Sequence, residues 1–254
     1  MLRCTPLLRL VSYLAPSLPE ELFLQIARHI EAKCHVGTSV RFERAISGPL
    51  EGDADPFADG TADVGFVCAP SYRWLRPGVE LLPVPVPLDP RADGRPVYFA
   101  DVVVRAASDL KGFDDLRGGR WAYNDLNSRS GWFSMLERIA PVPPDAFFAF
   151  LVQAGSHLES LDRVIDGTVD GAAIDSNVLR LHQGRVEVRQ GLRLLESWGP
   201  FPIQPVIVRA DVPSDLKSRI AHSLLTMHES GDAELERFGF RRFVEADQAS
   251  YDAG

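Results

Sequence analysis

Three times between residues 120 and 182 a short apolar run ends in a cluster of small polar residues and passes into an amphipathic stretch. The runs cover 120–124, 147–153 and 171–175. The clusters that follow are Asn124-Asp125-Leu126-Asn127-Ser128-Arg129-Ser130-Gly131, Ala154-Gly155-Ser156-His157 and Ser176-Asn177. Strands that alternate with helices in this way join as βαβ units, with parallel strands in one sheet and helices on its faces. The parallel arrangement brings every polar cluster to one edge, beyond the carboxyl ends of the strands, where open α/β sheets take up ligands. The middle of the chain is therefore expected to be a compact α/β unit.

The flanking sequence repeats the theme more loosely. Leu7 to Tyr13 suggests a strand. Pro16-Ser17-Leu18-Pro19-Glu20-Glu21 then opens a helix in which Phe23, Ile26, Ala27 and Ile30 share one face. Strands are expected at 64–68, 79–84, 97–105 and 202–208, and a closing helix over 213–228 with Leu216, Ile220, Leu224 and Met227 on its apolar face. Proline at 83, 85 and 87 is incompatible with the middle of a sheet and marks an exit from the first lobe. The acidic segment from Glu234 to Asp252 is expected as a solvated terminal helix. The predicted architecture is α/β with two lobes, each a mixed, mainly parallel sheet flanked by helices. Residues 1–101 with 203–254 form the first lobe and 102–202 an inserted second, and the crossovers near 99–104 and 200–206 act as hinges.

Composition narrows the function. The 254 residues carry 27 Lys and Arg against 35 Asp and Glu, a net charge of −8, which disfavours nucleic acid or an anionic membrane as partner. No stretch approaches the roughly 18 apolar residues of a membrane span, so no membrane insertion is expected. The N-terminal residues lack the pattern of a secretory signal. Cys4, Cys34 and Cys68 are odd in number and widely spaced, unlike a disulfide framework. These features predict a cytoplasmic location, or a periplasmic one if an export signal lies outside this sequence. No metal spacing, phosphate loop, dinucleotide fingerprint or hydrolase elbow occurs, so no cofactor or metal is expected.

Ser128 and Ser130, with Gly131 behind them at a helix start, place hydroxyls and backbone N–H groups at the positive end of a helix dipole. Hydrogen bonds to a charged group contribute about 1.5–3 kcal/mol each, so three or four suffice for micromolar binding of an anion after association costs. The same residues also suit an ordinary serine N-cap. His157 falls in the first turn of the next helix, as a cap or as a ligand contact. Asp175 ends an apolar strand, either to cap the following helix or to accept from a ligand. Arg129 points toward a bound anion or flanks it in solvent.

In this order the motifs resemble the phosphate- and phosphonate-binding family of ABC-transporter solute-binding proteins, which have the type II periplasmic-binding-protein fold. Gly155-Ser156-His157, Ser160-Leu161 and Ala172-Ala173-Ile174-Asp175-Ser176 follow the Ser-x-Ser motif collinearly. Ala62 to Val67 and Pro205 to Arg209 match the first lobe's strand and the return crossover. The resemblance implies that Ser128, the Arg129 amide and Ser130 grip phosphonate oxygens, with His157 and Asp175 beside them. Tyr13, Ser71, Tyr72 and Tyr98 would come from the opposing lobe. It also implies a small anionic ligand and, if the protein is exported, an ABC permease as partner. The alternatives are a cytosolic enzyme of the same fold, with Cys68, His157 and Asp175 as nucleophile, base and orienter, and a ligand-sensing module.

Overall fold

A computed structural model describes residues 7–230 and 234–252; Cys4 lies outside them. In chain order the strands are β1 (Leu7–Ser12), β2 (Gly37–Phe42), β3 (Val64–Phe66), β4 (Val79–Leu81), β5 (Val84–Pro87), β6 (Val97–Arg105), β7 (Arg120–Tyr123), β8 (Phe150–Gln153), β9 (Gly171–Asp175), β10 (Leu192–Pro202), β11 (Val206–Arg209) and β12 (Phe240–Val244). The helices are α1 (Glu20–Cys34), α2 (Ala69–Leu75), α3 (Ser134–Ile139), α4 (Pro144–Phe147), α5 (His157–Ile165), α6 (Ser176–His182), α7 (Val186–Gly191), α8 (Ser214–Leu225) and α9 (Gln248–Asp252). The chain divides into two compact units, 1–97 with 202–254 and 98–201.

The first unit carries a five-stranded sheet in the order β2-β1-β3-β11-β4. β1 runs parallel to β2 and β3, whereas β11 is antiparallel to β3 and β4. Asp63, just before β3, ties three of these strands together. Its carboxylate accepts from Arg9 of β1 at 2.9 Å and pairs with Arg209 of β11 at 3.1 Å. Leu22, Phe23, Ile26, Ala27 and Ile30 give α1 its buried face, and His35 in a left-handed conformation ends it.

The strand β2, unforeseen in the sequence, exposes alternate residues at the sheet edge. The proline-rich segment is not an exit from the lobe. It forms β5, paired antiparallel with β12 in a two-stranded ribbon of the same unit. A ribbon strand has one edge without ladder bonds and so tolerates residues lacking an N–H. The acidic C-terminal segment is likewise not a solvated helix: Phe240, Phe243 and Tyr251 are all buried, and Tyr251 donates to the Ile203 carbonyl at 2.8 Å.

The second unit has the sheet order β10-β6-β9-β7-β8. β7 is parallel to both β8 and β9, with Trp121 opposite Leu151 and Gly171; β6 runs antiparallel to β9. The expected strand at 147–153 starts only at Phe150, because Pro144 and its neighbours form the short helix α4. The expected strand at 202–208 is the end of β10 and the separate β11. Trp121, fully buried, anchors an aromatic core, stacking on Phe148 at 5.2 Å and meeting Phe113 edge-on at 5.6 Å. Truncation of Trp121 to alanine is expected to cost about 3–5 kcal/mol. Phe150→Ala, at a site 66% exposed, is expected to cost under about 0.5 kcal/mol. Urea denaturation of the two variants measures the contrast.

Candidate functional site

The three parallel strands of the second unit end side by side, and backbone bonds hold their loops in step. Ala154 and Gly155 donate to the carbonyls of Tyr123 and Asn124, each at 2.7 Å, so the loop after β8 lies along the loop after β7. Asp125, 2% exposed, organises the latter: its carboxylate accepts from the Asn127 N–H at 2.9 Å and from Asn124 Nδ2 at 2.8 Å.

The chain then turns into the helical run that becomes α3. Ser128 caps this run, its Oγ accepting from the Gly131 N–H at 3.1 Å. The first turn is wide, with the Phe133 N–H reaching back five residues to the Ser128 carbonyl at 3.1 Å. Such widened turns recur at functional sites. The Arg129 and Ser130 N–H groups open the run and have no carbonyl one turn earlier to bond. The Ser128 hydroxyl uses a lone pair for the cap and keeps its hydrogen for donation.

Gly131 is required by space. A Cβ there would lie 1.9 Å from Asn124 Oδ1, so any side chain displaces the residue that braces Asp125.

Ser130 Oγ stands 3.1 Å from His157 Nε2, linking the start of this run to the start of α5. Both residues are buried. Ser156 caps α5 by accepting from the Glu159 N–H at 3.1 Å. Burial pushes His157 down to about 4, so the imidazole is neutral at physiological pH. Asp175, at the end of β9, caps α6 by accepting from the Asn177 N–H at 2.7 Å. Ser176 Oγ accepts from the Phe99 N–H of β6 at 3.1 Å.

Of the two courses expected for Arg129, the structure overturns the solvent-exposed one. It is 6% exposed, its guanidinium forms a two-pronged pair with Glu137 at 2.7 and 2.9 Å, and it lies 4.2 Å over the Phe201 ring. It is therefore not in solvent, and its charge is already balanced. Glu137 lies eight residues further along the same helical run, in α3.

Of the residues assigned to the opposing lobe, Tyr13, Ser71 and Tyr72 lie in the first unit, where β1 and β3 end in parallel. Tyr13 donates its N–H to the Phe66 carbonyl at 3.0 Å, and burial raises its phenol to about 12. Tyr72 packs edge-on against Tyr251 at 5.5 Å and donates its hydroxyl to Gln248. Ser71 is fully buried, and its hydroxyl meets no hydrogen-bond partner among the described residues. Gly48, at φ 131°, packs so tightly there that a Cβ would meet Ser71 Oγ at 2.4 Å. Tyr98 differs: it lies on β6 in the second unit, packed against Phe201, and not with the first-lobe residues. Cys68 is buried at the head of α2, its N–H donating to the Ser47 carbonyl at 2.9 Å. Among the described residues no group of His, Cys, Asp and Glu is placed to hold a metal ion, and no helix is long and apolar enough to cross a membrane.

The sequence profile described as ABC transporter, phosphonate, periplasmic substrate-binding protein matches residues 10–251. The chain belongs to this phosphonate-binding family. No curated protein matches it in sequence. Among solved structures it resembles a binding-protein component of an ABC phosphonate transporter from Pseudomonas aeruginosa, with a TM-score of 0.81 at 14% identity over 97% of this chain and 83% of that one. A Prochlorococcus marinus protein in complex with methylphosphonate gives 0.79 at 14% identity, covering 96% and 94%. An ancestral arginine-binding protein gives 0.63 at 17% identity, covering 91% and 96%. These likenesses establish the fold of the two-lobed periplasmic binding proteins, and membership of the family makes the chain a substrate-binding component of the ABC-transporter type.

Two predictions follow from the geometry. Gly131→Ala is expected to destabilise the protein by about 1–3 kcal/mol through overpacking against Asn124, read as a lower urea midpoint. His157 sets a pH dependence. Its unfolded value is near 6.5 and its folded value about 4, so between these the unfolded chain binds a proton that the folded chain does not. Stability accordingly falls with acidification across this window, by up to about 1.4 kcal/mol per pH unit. His157→Gln is expected to flatten that part of the profile in denaturation curves measured from pH 7 to 4.

Proposed function

We propose that this member of the phosphonate-binding family binds a small phosphorus oxyanion, a phosphonate, phosphate or phosphate ester, between its two lobes. The lobes would close on the ligand by hinge motion where the chain crosses from one unit to the other, and the loaded protein would deliver it to the permease of an ABC transporter. The observation that carries this reading is the junction of Ser130 with His157 at the head of the helical run capped by Ser128.

A neutral imidazole with its proton on Nε2 donates to Ser130 Oγ and turns the serine hydroxyl hydrogen outward. The Ser128 hydroxyl and the Arg129 and Ser130 amides then add donors of the same sense, and the helix dipole favours an anion at that point. With Arg129 neutralised by Glu137, the donors themselves are uncharged. The unpartnered Ser71 hydroxyl would be the first unit's contribution, with Tyr13 and Tyr72 as walls beside it. Asp175, occupied as a cap, would border the ligand on the β9 side.

Methylphosphonate or inorganic phosphate is expected to raise the melting temperature of the wild type. Ser128→Ala and Ser130→Ala each remove a hydrogen bond to a charged group, about 1.5–3 kcal/mol, and are expected to weaken binding at least tenfold by titration calorimetry. A panel of phosphorus oxyanions that leaves the melting temperature unchanged would refute the reading.

A further inference from the structure

Arg129 stands between the two serines of the Ser-x-Ser turn. With its guanidinium held by Glu137, it has only its backbone N–H to offer an anion, and any residue but proline would supply that. Its side chain is nonetheless long, charged and buried. Enclosing a guanidinium costs desolvation that an ion pair offsets only in part, and its partner Glu137 is exposed and has no need of a pair. What the side chain gains is reach. The guanidinium carbon lies 4.2 Å over the Phe201 ring, within the range of cation–π attraction. Phe201 is the last residue of the second unit before the chain passes into the first. Tyr98, whose ring lies 6.0 Å from that of Phe201, is the first residue after the chain enters. The strands that bring the chain in and take it out, β6 and β10, are neighbours in the sheet. They approach closely here: a Cβ on Gly199 would meet the Phe201 nitrogen at 3.1 Å and the Tyr98 carbonyl oxygen at 3.2 Å. The side chain between the two serines is therefore laid on the ring at which both crossovers meet.

The turn that carries Arg129 has two hydrogen-bonding registers open to it. The Ser128 carbonyl accepts from the Trp132 N–H at 3.2 Å and from the Phe133 N–H at 3.1 Å, the first an α-helical bond and the second a wide-turn bond. A shift between the two moves residues 129 and 130. The two-pronged bond to Glu137 on α3 keeps the guanidinium from absorbing that movement by free rotation. We propose that Arg129 is a positioning residue that couples the anion site to the hinge. An anion drawn onto the Arg129 N–H and the two serine hydroxyls settles the turn in one register, and the Arg129 side chain carries the change to Phe201 and so favours closure. Coupling of this kind is reciprocal: the contact through which a ligand closes the lobes is also the contact through which closure holds the ligand. The inference rests on the reading of Ser128, the Arg129 amide and Ser130 as the anion site.

Methylphosphonate binding to the full chain tests it, with small-angle X-ray scattering reading compaction and stopped-flow tryptophan fluorescence reading the rates. The wild type is expected to lose radius of gyration at saturation. Phe201→Leu is expected to bind without that compaction, associating within about threefold of the wild-type rate and dissociating at least about tenfold faster. Phe201→Tyr, which keeps a ring beneath the guanidinium, is expected to restore both. Arg129→Ala keeps the backbone N–H and removes the reach, so it is expected to behave as Phe201→Leu does, and the double variant to dissociate no faster than either single one. Should Phe201→Leu fail to fold, Arg129→Ala decides. A contact that only stabilises the fold would lower the melting temperature of these variants and leave compaction and rates as in the wild type; that result overturns the proposal, as does failure of Phe201→Tyr to restore them. Wild-type protein that binds without compacting also overturns it and leaves the anion site standing. Wild-type protein that binds no methylphosphonate overturns the reading of the anion site, and this proposal with it.

Discussion

The parallel register of β7 with both of its neighbours is the constraint on which the candidate site depends. Trp121 faces Leu151 on one side and Gly171 on the other, so β7 and β8 finish level at Tyr123 and Gln153 and β9 runs two residues further, to Asp175. Each then releases its chain into a helix start at the same edge. Because β7 is only four residues long, there is little ladder to hold its end in place. The extra alignment comes from the loop bonds between residues 123–124 and 154–155 and from the Ser130–His157 contact. The aromatic core around Trp121, including Phe148 just before β8, fixes the same register from beneath. Packing, register and site are thus parts of one arrangement: loosening the core shifts the hydroxyls.

Electrostatics at this edge work by dipoles rather than by net charge. The chain is acidic overall, Arg129 is balanced by Glu137 and covered by Phe201, and His157 is held neutral by burial. Asp125 and Asp175 are engaged by backbone N–H groups. An anion bound here as proposed would be gripped by hydroxyls, amides and a helix start, interactions that are short-ranged and directional. Such a site discriminates by the placement of donors, which gives a rigid framework such as Gly131 against Asn124 a direct bearing on recognition.

Strongly periodic or sharply bounded elements could be read from the chain alone: α1 from its apolar face, and β6 and β9 as mainly apolar runs whose ends were placed correctly. β2 and β10 were missed because edge strands expose half of their residues, leaving mixed polar sequence that resembles loop. The prolines of β5 misled for a related reason, since its pairing with β12 is a long-range event that local patterning does not carry. The Ser-x-Ser turn, His157 and Asp175 could be picked out as site candidates because their residue types and spacing are local, and the collinear motifs pointed to the family that the profile match then established. The surroundings of Arg129 depended on Glu137 and on Phe201, which is far away in sequence.

A crystal structure of the protein grown with methylphosphonate tests the central claim most directly. The account predicts phosphonate oxygens within hydrogen-bonding distance of Ser128 Oγ, Ser130 Oγ and the Arg129 or Ser130 N–H, with His157 still bonded to Ser130. Phosphonate bound elsewhere, with the Ser130–His157 junction untouched, would contradict it.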